Sequence, residues 1–182
     1  MRVCRYLLLT ALVAAPVAAE PLGRFAACMV GEVPRAERLT IAEIANSATP
    51  VPPAMTASFL AHSDVCARRL SVRGTGLTYG HAEFIGAISI EYLAPRLTEA
   101  GLPVDAIDAW YDRQSEATRL DPIPPLNGSG NEAPGLRLLD ALAAHEVHIP
   151  LSPEHYNLVG SYLFAKETLT RRGRAFTLPP AE

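Results

Sequence analysis

Cys28 and Cys66 limit the possible folds of this chain more than any other pair of residues. They are two of three cysteines, and the third, Cys4, lies in a stretch that reads as a removable leader. A bond between Cys28 and Cys66 closes a long loop of chain, and its constraint on the unfolded state contributes about 3–4 kcal/mol. An even pair of thiols in an oxidising compartment is expected to close; the alternatives are a free buried thiol pair or redox chemistry, and no Cys-x-x-Cys spacing favours them. The fold must then bring the segment around Cys28 against the segment around Cys66.

The leader supplies the compartment. Arg2 and Arg5 form a positive head, Tyr6 to Ala15 an apolar run, and Val17-Ala18-Ala19 a small-residue exit before Glu20, the order that export and signal cleavage require. We expect residues 1–19 to be removed and residues 20–182 to form a single helical domain in the periplasm or outside the cell. The apolar run is broken by Pro16 and stopped by Glu20, too short for a transmembrane anchor. Phe25-Ala26-Ala27-Cys28 loosely imitates a lipidation site, but Glu20, Pro21, Gly23 and Arg24 separate it from the apolar run. The formal net charge of −3 becomes more negative once Arg2 and Arg5 are lost. A surface of that sign does not neutralise phosphates, so nucleic acid is not an expected partner.

Apolar spacing in the mature chain is helical throughout. Leu22, Phe25, Ala26 and Met29 line one face of a short first helix that presents Cys28. Pro34 suits the start of a second helix carrying Leu39, Ile41, Ile44 and Ala45, with Thr40 and Glu43 as a later alternative start. Thr49-Pro50-Val51-Pro52-Pro53 is a rigid connector. Met55, Phe59, His62 and Cys66 then share one face of a third helix. Gly74, Gly76 and Gly80 read as a turn, their spacing being wrong for a phosphate loop. Residues 81–93 form the most apolar and therefore central helix, which Pro95 should bend or end. Ile107, Trp110, Tyr111 and Gln114 trace a further helix with Asp105 and Asp108 near its start. Residues 121–135, rich in proline, glycine and asparagine, are a surface loop. Leu136 to Val147 resumes a helix, and the last begins at Ser152-Pro153-Glu154 and ends near Arg171, Arg172 and Gly173. With no persuasive strand, the fold class is all-α: one irregular bundle of six or seven helices with one disulfide.

Candidate chemistry is sparse. His145, His148 and His155 cluster with Glu146, and histidines are natural metal ligands. However, His145-Glu146-Val147-His148 is one residue short of the His-Glu-x-x-His spacing, and Pro150 follows at once. Glu91, between Ile90 and Tyr92, would have its pKa raised if its apolar neighbours desolvate it, as suits a general acid, unless Arg73 or Arg96 pairs with it. Trp110 and Tyr111, with Tyr156, Tyr162 and Phe164, would either line a groove or fill the core. No Gly-x-Ser-x-Gly turn presents a serine nucleophile. Arg171, Arg172 and Arg174 make too small a basic cluster for a lipid surface.

Ala27-Cys28-Met29-Val30 closing a first helix, a proline-started second helix, Cys66-Ala67 near the end of a third, Arg73-Gly74 and a helix with Ala82-Glu83 together resemble small secreted alphaproteobacterial proteins of unknown function. The resemblance spans roughly residues 24–93, and Gly76 and Gly80 depart from it. It implies export, helices and a disulfide, and it supplies no catalytic residue. The reading as a whole is an exported module, without a cofactor, that binds a partner protein or a small molecule. The alternative is a metal- or carboxylate-dependent hydrolase acting on cell-envelope material, and a third possibility is an assembly subunit held by its aromatic patches.

Overall fold

A computed structural model describes residues 23–47, 49–114, 142, 147 and 152–170. They form six helices and, among the described residues, no strand: α1 Arg24–Glu32, α2 Arg35–Ala45, α3 Pro53–Leu70, α4 Thr75–Glu99, α5 Val104–Arg113 and α6 Pro153–Thr170. The all-α class and the Cys28–Cys66 disulfide are both present, with a Cα–Cα distance of 5.8 Å. Among the described residues no helix is long and apolar enough to cross a membrane. The leader, the 121–135 loop, most of 136–147 and Arg171, Arg172 and Arg174 lie outside the described residues.

The first three helices follow their apolar spacing. Phe25, Ala26 and Met29 of α1 are buried, and Ile41 and Ala42 are the buried pair of α2. Pro34 sits one residue before α2, as its cap. Thr40 is in mid-helix and bonds back to Ala36 O at 3.0 Å. Pro53 opens α3, where its absent amide costs nothing. The face predicted to carry Cys66 does carry it, fully buried.

Helix α4 departs from expectation at both ends. It starts at Thr75 rather than His81, so Gly76 and Gly80 are helical and only Gly74 (φ +55°) remains in the turn. Glycine at position 80 serves packing: a Cβ there would run into the Phe25 ring. Likewise a Cβ on Gly86 would meet the Ala165 carbonyl at 3.0 Å, so α4 and α6 approach closely there. Pro95 neither ends nor replaces the helix, which continues to Glu99. An internal proline costs about 3 kcal/mol; burial of Leu93 and Leu97 on either side of it offsets that cost.

Helix α4 is central, touching α1, α2, α5 and α6, while α3 packs on α1. Two apolar clusters lie along it. One gathers Phe25, Met29, Val33, Ile41, Cys66, Phe84 and Ile88. The other gathers Leu97, Ile107, Trp110, Leu142, Val159 and Leu163 with their neighbours. Tyr92 packs against both.

Candidate functional site

Each residue singled out in the sequence has a definite place. Glu91 lies at the α2–α4 contact, where Arg35 Nε donates to Oε1 at 2.8 Å and Arg38 Nε to Oε2 at 3.2 Å. Arg38 also donates to the carbonyls of Val30 (2.8 Å) and Val33 (3.0 Å), tying α1's end to the same knot. Burial pushes the Glu91 carboxyl up, but the hydrogen bonds from Arg38 and Arg35 and their positive charge outweigh it, and its pKa falls below the ordinary value. The expected raised acid is thus corrected to an ionised strut, paired with Arg35 and Arg38 rather than Arg73 or Arg96.

Trp110 and Tyr111 are each only 2% exposed and belong to the second cluster, so they fill the core rather than line a groove. The Tyr111 hydroxyl donates to Glu167 Oε2 at 2.5 Å. Beside it Tyr162 donates to both oxygens of Asp108 (3.0 and 3.2 Å), and Lys166 Nζ stands 2.7 Å from Asp108 Oδ1 and 3.5 Å from Asp112. Burial, then the Asp108 charge and hydrogen bond, raise the Tyr162 pKa well above its ordinary value. This α5–α6 network escaped the sequence reading; its signal was the four-residue spacing of Asp108 with Asp112 and of Tyr162 with Lys166, two faces of opposite charge.

Ser63 and His81 meet at 2.6 Å across α3 and α4, a nucleophile–base distance. Ser63 is 4% exposed, however, and the rings of Phe25 and Phe59 flank His81 with centroids at 5.3 and 5.0 Å. The hydroxyl is thus covered, and the pair joins two helices. Burial lowers the His81 pKa.

His145 and His148 lie outside the described residues, and among those described no three His, Cys, Asp or Glu side chains gather to hold a metal ion. His155 is placed, and it marks the most suggestive site. Helices α4 and α6 run antiparallel, since Gly86 faces Ala165 while Arg96 shares a recess with Asn157. The recess lies between the last turns of α4 and the first turns of α6 and encloses about 570 Å³, within the usual range for small-ligand sites. Leu93, Ala100 and Leu158 are its apolar lining; Asn46, at the end of α2, also borders it. Asn46 is held there by its side-chain amide, which donates to Ala42 O at 2.7 Å and Ser89 Oγ at 2.9 Å.

Three features give the groove chemical character. The Arg96 guanidinium lies over the Tyr92 ring, 3.5 Å from its centroid, and donates to Tyr92 O at 3.2 Å. Among the described residues no carboxylate comes within 4.0 Å of it, although Glu99 and Glu154 line the same groove. Ser152 caps α6 by accepting from the His155 amide at 3.1 Å, which sets His155 in the first turn. Among the described residues His155 Nδ1 is buried there without a hydrogen-bond partner. Among the described residues Glu37 Oε1, between α2 and α3, is also buried without a hydrogen-bond partner, but the other oxygen of its carboxylate lies 3.7 Å from His62 Nε2. No family model, curated protein or solved structure matches this chain.

Proposed function

We propose that this chain is an exported binding module whose small-molecule ligand occupies the α4–α6 groove. The observation that carries this reading is His155 Nδ1. A buried polar atom without a partner costs about 1–3 kcal/mol; His155 lines the groove, and a turn of its ring on ligand entry would let a ligand group satisfy that nitrogen. Residues whose chemistry favoured conversion are committed elsewhere: both thiols to the disulfide, and Glu91 to two arginines. The disulfide supports export, since such bonds persist in oxidising compartments.

The test is a titration of the mature chain, followed by backbone amide resonances, with a panel of uncharged aromatic, anionic, cationic and zwitterionic fragments. The expected result is that shifts from at least one class concentrate at residues 92–100 and 154–161. His155→Leu should leave stability unchanged or raised while weakening that binding. Shifts confined to other surfaces, or none, would overturn the reading. Stoichiometric zinc in the purified protein would instead favour the hydrolase, with His145, His148 and His155 as its ligands.

A further inference from the structure

Resting on that reading of the groove, we infer that its ligand is a small zwitterion, a free amino acid or short peptide bearing both an ammonium and a carboxylate group. The groove carries both signs of charge and neutralises neither. Arg96 is fixed by stacking on Tyr92 and by its single bond to the Tyr92 carbonyl, which leaves most of its five donors unused. Glu99 and Glu154 border the same space and form no ion pair within 4.0 Å among the described residues.

Arg96 and Glu99 stand three residues apart on α4 and Glu154 on α6, and among the described residues none of the three pairs within 4.0 Å. Each charge is therefore left for a ligand that carries the opposite one, and a ligand with both signs meets a partner for each. The carboxylate of such a ligand fits the planar donor edge of Arg96, and the ammonium fits the glutamates. His155 adds an imidazole to the same lining, and Leu93 and Leu158 offer apolar contact to a side chain. A purely anionic ligand would meet two unscreened carboxylates, and a purely cationic one would meet Arg96. Complementarity to both ends at once is what separates this class from either.

The probes are leucine, alanyl-leucine, N-acetyl-alanyl-leucine and alanyl-leucinamide, titrated into the mature chain by calorimetry and by amide shifts at 92–100 and 154–161. A zwitterion is expected to bind at this groove, with either blocked peptide weaker by about tenfold or more. Leucine against alanyl-leucine separates a free amino acid from a peptide. Arg96→Gln should weaken the zwitterion yet leave the amide, which lacks the carboxylate, unaffected. The double variant E99Q/E154Q should do the same for the ammonium, sparing the acetylated peptide. Equal binding of free and blocked peptides, or equal losses for all probes in the variants, would overturn the inference. If uncharged fragments enter the groove and zwitterions do not, the ligand class is wrong and the binding site stands; if no class enters, both fall.

Discussion

At its N-terminal end α4 is gripped by α1 and α2 through Phe25, Met29, Ile41, Phe84 and Ile88, with α3 tied on by the Cys28–Cys66 bond. At its C-terminal end it lies against α5 and α6, which face each other with carboxylates, a lysine and two tyrosine hydroxyls. In the first region Glu91 with Arg35 and Arg38, and Ser63 with His81, join helices to one another. The second is both more polar inside and open at one end, where the groove keeps Arg96, Glu99 and His155 available. The groove proposed as the binding site thus lies in the region held by directional, charged contacts rather than in the one stapled by apolar contact and a covalent bond.

The contrast can be broken most forcefully at the staple. Replacing both cysteines by serine should cost about 3–4 kcal/mol in urea unfolding. Amide protection should fall first in α1 and α3, while Trp110, the single tryptophan, keeps its buried emission before the main transition. Early exposure of Trp110 would mean that the two regions are not separately fastened. A smaller effect, about 1–3 kcal/mol, is expected from Tyr111→Phe, which takes one donor from the buried Glu167 carboxylate. Here Trp110 should respond before α1 does.

The smallest and most selective effect is in pH. Glu91 and His81 both have lowered pKa values in the folded chain. Their contribution is complete above the ordinary values of 4.5 and 6.5 and is lost as pH falls through the folded ones. Tyr162 is raised, so its contribution is complete below its ordinary value of 10.0 and is lost as pH rises above that toward the folded one. The N-terminal region should thus loosen in acid and the C-terminal region in alkali. Stability curves for Glu91→Gln and Tyr162→Phe should flatten on the acid and alkaline sides respectively. A curve that stays unchanged for either variant would contradict its assignment.

Much of the first region was legible because its determinants are local. Apolar residues recurring every three or four positions define α1 to α3, Pro34 and Pro53 mark helix starts, and the same periodicity placed Cys66 inward. The Ser152-Pro153-Glu154 signal likewise located α6. Errors arose where tertiary contact overrides local preference. Gly76, Gly80 and Pro95 all argue against a helix when considered alone, yet α4 runs through them because Phe25 needs the space at Gly80 and Leu93 and Leu97 bury beside Pro95.

Sequence by itself determined the all-helical class, the cysteine pairing and which faces turn inward, since each follows from spacing along the chain and the chemistry of a few residue types. Only the tertiary structure decided that Glu91 is an ionised strut, that Trp110 and Tyr111 are core, and that His155 borders a groove with Arg96 and Glu154. Those properties belong to side chains distant in sequence. A pKa, an orphaned nitrogen or an unpaired charge is fixed by what packing brings within a few ångströms, and no periodicity encodes that.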